Sequence, residues 1–362
     1  MSGPNKRRRK RTATSADSAA SARPTLKTIS KMTGLGVTTV SRALKNGPEL
    51  SAETRALVQS VASDIGYRPN RAGVRLRTGR TMVIGLVLDQ SVTIAEFERR
   101  IILGVSSVLK NTDYHLVVTP VLDGAHVMEP VRYMVDNAAA DGLIFTHTRP
   151  RDERAQFLLD RQFPFVSHGR TELAEEHPFY DFDNGRFVEE AVNRLAARGR
   201  RRLAMVIPPD ILTCARHMLD GFRKAGARVE VETIAMTGVD LDSDPDVFRS
   251  AARAMASGPN APDGVICGNE TRCVPLLAGL RDAGMVLGRD VDVIAKETSD
   301  LLDHLDPPVD SFKEDLIFAG GEVARLLLRR IEGAPVRELQ SIVAPQFHPR
   351  MARRDSSLSA AS

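Results

Sequence analysis

Thr38, Thr39, Ser41, Arg42 and Lys45 fall within one short stretch of the chain. On a helix starting at residue 37 they point outward together. Hydroxyls and cations are the groups that reach base edges and phosphates in a DNA major groove. Short helices must hold them there. Thr25 is placed to cap a helix from residue 26, where Leu26, Ile29 and Met32 or Thr33 recur at helical spacing. Gly34 and Gly36 supply a tight turn. A second helix runs from 37 to 44 or 45, with Val37, Val40 and Leu44 inward, and Asn46-Gly47-Pro48 stops it. Ser51 caps a third, whose apolar face is Leu57, Val58, Val61, Ala62 and Ile65, ended by Gly66. Three short helices with a glycine turn make a helix-turn-helix candidate. A three-helix protein-interaction bundle would carry the same spacing.

The charge distribution favours a polyanion partner. Residues 1–80 hold 17 Lys and Arg against 4 Asp and Glu, a balance of +13; the rest hold 33 against 42, a balance of −9. Lys6 to Arg11 is an unbroken basic run followed by Ser, Ala and Thr, so residues 1–23 are expected to be a disordered basic tail. With 362 residues, 42% of them hydrophobic, the chain is long enough for more than one core. Three cysteines cannot staple it, and no apolar run reaches the roughly 18 residues of a spanning helix. The basic N-terminus lacks the apolar segment of a secretory signal, so a reducing cytoplasm and no membrane are expected.

After Arg80 the pattern alternates. Apolar runs at 82–88, 115–119, 142–146, 165–167, 202–207, 264–267 and 291–294 read as strands buried on both faces. Helical segments at 97–110, 186–198, 214–225 and 271–283 lie between them. This predicts an α/β core of parallel sheets flanked by helices, better divided into two lobes than one. No phosphate loop or dinucleotide fingerprint is present, and the eight histidines are scattered, so no cofactor, metal or enzymatic reaction is expected. Cys267 and Cys273 read as buried reduced thiols.

Pro24-Thr25-Leu26-Lys27 opens a longer pattern, continued by Gly34-Leu35-Gly36-Val37-Thr38-Thr39-Val40-Ser41-Arg42-Ala43-Leu44. Ser51-Ala52-Glu53-Thr54-Arg55, Ile65-Gly66-Tyr67-Arg68-Pro69-Asn70 and Leu76-Arg77-Thr78-Gly79-Arg80 follow. In this order and spacing the chain resembles the lac repressor (LacI/GalR) family of bacterial transcription regulators. The resemblance implies a helix-turn-helix DNA-binding domain at 24–69 and a hinge at 70–80. It places base-reading residues at Val37 and Thr38 and a base or phosphate contact at Arg42. In the hinge, Leu76 matches a leucine wedged into the minor groove at the operator centre. An apolar wedge kinks DNA most cheaply at a pyrimidine–purine step. Paired hinges imply a homodimer on a near-palindromic double-stranded operator. The candidate DNA contacts are Thr25, Leu26, Val37, Thr38, Thr39, Ser41, Arg42, Lys45, Asn70, Arg71 and Leu76.

The same resemblance implies that 81–362 is an effector-binding and dimerisation core, similar to a periplasmic sugar-binding protein. One lobe would span about 81–181 and 311–340, the other about 182–310 and 341–362, with a small sugar-like effector in the cleft at the strands' carboxyl ends. His168, Arg170, Asp183, Arg216, Asn269, Glu270 and Glu297 are the candidate effector residues. His168-Gly169-Arg170 is similar to a subgroup associated with α-glucoside control. Arg216 and His217 stand near the place where the family has an arginine before Gly221-Phe222, which here holds Met218. Ala295-Lys296-Glu297 replaces the family's Gly-Phe-Asp; Glu297 takes the acid's place, and Lys296 is left to face solvent or pair with Glu297 or Glu270. With no tryptophan, Phe97, Phe145 or Phe312 must supply any aromatic face. The leading expectation is a repressor of carbohydrate uptake or catabolism genes, released by its effector. A solute-binding protein with an appended head is the alternative, and a sugar-processing enzyme a third.

Overall fold

The computed structural model describes residues 24–68, 75, 79–89, 95–121 and 126–350. The tail 1–23 and the hinge positions Asn70, Arg71 and Leu76 lie outside the described residues. Contacts divide the chain into a head, residues 1–80, and a core, residues 81–362.

The head is three helices, α1 (Leu26–Thr33), α2 (Val37–Ala43) and α3 (Ala52–Asp64). Thr25 and Thr28 form a reciprocal capping box at α1, and Gly34 ends it in the left-handed region at φ 71°. The Ser51 hydroxyl accepts from Thr54 N–H at the start of α3. Ile29, Val40, Ala43, Val58 and Ala62 are the buried centre. Two inward assignments fail. Val37 is 40% exposed and Leu57 49% exposed. The centre is only five side chains wide, and Val37, on the first turn of α2, already lies beyond its edge.

The core contains two six-stranded sheets. In chain order its elements are β1 (Val83–Asp89), α4 (Ala95–Leu109), β2 (His115–Val121), α5 (Met128–Asp136), β3 (Gly142–Phe145), α6 (Glu153–Asp160), β4 (Phe165–His168) and β5 (Phe179–Phe182). Then come α7 (Asn184–Ala197), β6 (Arg202–Val206), α8 (Thr213–Arg228), β7 (Glu232–Ala235), α9 (Pro245–Ala256), β8 (Gly264–Cys267), α10 (Glu270–Asp282), β9 (Asp292–Glu297) and β10 (Asp310–Lys313). The chain ends with α11 (Leu316–Ile331), β11 (Gln340–Val343) and β12 (Gln346–His348).

The first sheet has the order β11-β5-β4-β3-β1-β2 and the second β12-β10-β9-β8-β6-β7. All pairings are parallel except that of β10 with the edge strand β12. β3 and β8 are buried along their whole length, because helices cover both faces. The chain crosses between lobes after β5, after β10 and after β11. The second crossing therefore falls beyond Lys313 rather than at 311. The third falls beyond Val343 rather than at 340. Short strands after each expected boundary complete the sheet already in progress.

In the first lobe α4 and α11 touch backbone to backbone. A Cβ at Gly104 would run into the carbonyl oxygen of Ile317, and one at Gly320 into that of Ile101. Such contacts leave no room for a side chain. Gly104→Val should lower the unfolding free energy by about 3 kcal/mol. Thermal and urea denaturation measure it; an unchanged transition would show that the helices can part at no cost.

Candidate functional site

Leu26, Val37, Thr38, Ser41, Arg42 and Lys45 line one shallow concavity on the head. α2 carries all of them except Leu26 and Lys45, and its buried Val40 and Ala43 anchor it on the opposite side. The loop after it is fixed by Gln59 Nε2 donating to Asn46 Oδ1 (2.7 Å) and Arg55 Nη1 to the Gly47 carbonyl (3.2 Å). Arg42 Nε lies 3.6 Å from Glu49, both exposed, a weak tie that a phosphate or base edge can displace. The surface thus offers two cations, two hydroxyls and two aliphatic groups, a set suited to phosphates, base edges and thymine methyls. Thr25 is engaged in the capping box, and Thr39 is half-buried beside the concavity.

The second site is a cleft between the two sheets, at the carboxyl ends of their strands. The first lobe contributes Phe97, His147, Thr148, His168, Gly169, Asp181 and Phe182. The second contributes Asn184, Cys214, Asp242, Asn269, Lys296 and Thr298, and Glu314 stands on the crossing after β10. Of the residues expected from sequence, His168 and Asn269 line this cleft; the other five do not.

Each of the five is occupied elsewhere. Arg170 Nε lies 2.6 Å from Asp181 Oδ2 and holds that cleft carboxylate from behind. Burial nevertheless pushes Asp181 up to about 6. Asp183 caps α7 by accepting from Arg186 N–H (3.1 Å), which leaves its neighbour Asn184 facing the cleft. Arg216 Nη1 meets Glu172 at 2.6 Å in an exposed bridge from α8 to the first lobe. Glu270 accepts from the Ser299 N–H (3.0 Å), the Thr298 hydroxyl (2.9 Å) and the Thr298 N–H (2.5 Å), so it shapes the turn after β9.

Glu297 is fully buried and accepts from Ser311 Oγ (2.5 Å) and Arg350 Nη2 (2.9 Å). Neighbours on a strand point to opposite faces. Lys296 therefore takes the cleft side. It pairs with Glu314 at 2.6 Å, not with Glu297, Glu270 or solvent.

The aromatic face comes from Phe97, whose ring centroid lies 5.2 Å from that of His147 and 5.4 Å from that of His168. Phe145 and Phe312 are fully buried core. His147 holds φ 53°, a left-handed conformation uncommon outside glycine. Its carbonyl accepts from Arg154 Nη2 (2.9 Å), and Arg154 is itself fixed by Asp152 at 2.8 Å with both side chains buried. Burial first, then the charges of Arg154 and His168, hold the His147 imidazole down to about 3, so it is neutral in the cleft.

His147, Asn184, Lys296 and Glu314 were missed as site residues. His147 and Thr148 directly follow the strand at 142–146, and the carboxyl-end rule for parallel sheets points to them. Glu314 follows β10, whose Asp310 and Ser311 leave no apolar run to read. The lobes also meet where Thr213 N–H donates to the Thr148 carbonyl at 2.9 Å. Cys267 and Cys273 are buried free thiols. Among the described residues no group of three His, Cys, Asp or Glu could hold a metal ion, and no helix is long and apolar enough to cross a membrane.

Two family models match the chain: bacterial regulatory proteins of the lacI family over residues 25–70, and the periplasmic binding protein-like domain over 192–352. The HTH-type transcriptional regulator AglR of Rhizobium meliloti (strain 1021) is 30% identical over 326 residues, covering 84% of this chain and 86% of that one. The regulator CelR of Thermobifida fusca is 30% identical over 325 residues, covering 87% and 95%. Among solved structures, a transcriptional regulator CelR–cellobiose complex superposes with a TM-score of 0.67 at 25% identity, covering 91% of this chain and 99% of that one. The lac repressor dimer bound to operator and the anti-inducer ONPF shares the fold, with a TM-score of 0.77 at 19% identity over 91% and 98%. The chain belongs to the lacI family of bacterial regulatory proteins, and is a DNA-binding transcriptional regulator with a helix-turn-helix head and a periplasmic-binding-protein-like core.

Proposed function

We propose that this regulator represses genes of carbohydrate uptake or catabolism in the cytoplasm, bound as a homodimer to a near-palindromic operator and released when a sugar fills the core cleft. The observation that carries this reading is the cleft's make-up. Polar groups from both lobes converge beside the Phe97 ring, with a neutral imidazole at His147 and the Lys296 charge already matched by Glu314. A sugar presents the complementary surface, hydroxyl groups around an apolar ring face. The similar regulator solved with cellobiose supports the same class of ligand.

Release requires that the sugar bind the two arrangements of the lobes with unequal affinity. Residues Thr148 and Thr213, which meet across the cleft, are placed to feel the difference. Selection of bound duplexes from a random DNA pool should enrich a near-palindrome with a flexible central step. Fluorescence anisotropy on that site, titrated with neutral sugars, should then show release. An enriched operator that no sugar releases would remove the effector reading. A folded protein that enriches no sequence would remove the operator reading.

Within the head, Arg42→Ala should weaken operator binding by about 10- to 100-fold. Unchanged affinity would take Arg42 off the interface. Asp181 gives a pH signature of the cleft. Its native pKa of about 6 lies above the ordinary 3.8. Its contribution to stability is therefore full below the ordinary value and lost as pH rises through 6. Relative to Asp181→Asn, the native chain should lose stability to urea between about pH 4 and about pH 6.5 and no further above that. Parallel curves for the two proteins would mean that this carboxyl is not buried as described.

A further inference from the structure

Thr146, His147 and Thr148 form the turn that leaves β3, and three contacts start from it. The His147 ring lines the cleft beside Phe97. The Thr148 carbonyl accepts from the Thr213 N–H of the second lobe at 2.9 Å. The Thr148 hydroxyl donates to the Arg170 carbonyl at 2.8 Å, and the Arg170 side chain holds Asp181. All three depend on the backbone at His147. Its φ of 53° is penalised for any residue with a Cβ, and such a conformation persists only where its surroundings enforce it.

Arg154 does the enforcing. Its Nη2 donates to two successive carbonyls, those of Thr146 (3.1 Å) and His147 (2.9 Å). Asp152 grips the same guanidinium through Nε (3.0 Å) and Nη2 (2.8 Å). Asp152 also accepts from the backbone N–H of Arg149 and of Arg154, both at 3.0 Å, so one carboxylate ties the turn to the start of α6. Both side chains are buried, and neither lines the cleft. A flat guanidinium fork can span a carboxylate and two carbonyls at once; the point charge of a lysine cannot.

We propose that Arg154 is a positioning residue of the effector response: by holding the Thr146 and His147 carbonyls it fixes the left-handed turn that aims the His147 ring into the cleft and the Thr148 carbonyl at the opposite lobe. One turn thereby links what fills the cleft to how the lobes meet. The effector part rests on the cleft being the effector site.

The test uses the full-length protein with ring-labelled histidine, the His147 signal being the one of eight that His147→Gln removes. The charged or titratable side chains facing that ring are Arg154 from α6 and His168 from β4, while Asp181, Asp242, Lys296 and Glu314 line the same cleft. In the native chain the ring should stay neutral from pH 8 down to about pH 5. Arg154→Met combined with Asp152→Asn removes the fork and leaves no unmatched buried charge. Freed from its buried place, the ring should then titrate near the ordinary value of about 6.5. The same variant should still bind the operator, yet need about 10-fold more maltose or cellobiose for release than the native chain. Arg154→Lys keeps Asp152 matched but loses the fork; it should show the same changes, and it serves where the double variant does not fold.

A folded variant whose His147 stays neutral through pH 5 overturns the proposal, because Arg154 then only stabilises the lobe. So does a variant whose His147 titrates while its sugar response equals that of the native chain; in both cases the cleft remains a sugar site. A native chain that no sugar releases overturns the effector reading and the effector part of this inference with it, and the titration alone then decides whether Arg154 sets the ring.

Discussion

A carboxylate with no access to water must be matched, because removing it from solvent costs several kcal/mol. Glu314 is in that position, and its match is Lys296. The pair also lies where the chain changes lobes. Glu314 stands between β10 and α11, and Lys296 is near the end of β9 in the second sheet. Asn184, which accepts from Lys296, follows the crossing after β5. The first lobe supplies the remaining neighbours, His168 facing Glu314 and the Phe182 ring facing Lys296. Two of the three crossings therefore share one electrostatic centre with the cleft wall. Shifting one lobe against the other changes the partners of a buried charge, which is the unequal energy that coupling between a ligand and a distant surface requires.

The rim is built differently. Arg216 and Glu172 bridge the lobes while both are substantially exposed, and such a pair contributes little to stability. Arg100 and Asp300 approach to 3.7 Å, again with an exposed carboxylate. The backbone bond from Thr213 to Thr148 is stronger in geometry but single. Each is weak enough to open at modest cost. The wall beneath is held by buried contacts: Arg154 with Asp152 fixes His147, and Arg170 fixes Asp181. A stiff wall with a weakly tied rim suits a site that must recognise one shape yet let its halves move.

Much of this architecture was legible in the chain. The three head helices carry their own start and stop signals at Thr25, Gly34, Ser51 and Gly66, all local chemistry. Most central strands of both sheets read as unbroken apolar runs because both of their faces are covered. The strands that escaped, β5, β7, β10, β11 and β12, each lie at a sheet edge or beside an edge strand. β5 mixes Asp181 with aromatic residues, and β10 carries Asp310 and Ser311, so neither shows a run. Losing β10 hid Glu314. A position gains meaning from standing at a strand's carboxyl end, and without the strand there is no end.

The misplacements at Val37 and Glu297 share one cause. A repeat of 3.6 or 2 residues determines which side chains share a face, but not which face meets the core. In α2 the spacing groups Val37 with Val40, yet the small centre of the head ends one turn short, and Val37 joins Thr38 and Arg42 on the outer surface. In β9 alternation separates Lys296 from Glu297 whatever the register. The choice between them is made by what waits on each side. Ser311 and Arg350 take Glu297 on one side. Glu314 takes Lys296 on the other, and a buried carboxylate there can be matched only by a cation. The phase of the strand is thus set by charge pairing contributed from residues more than a strand away, and the ligand chemistry of the cleft follows from that phase.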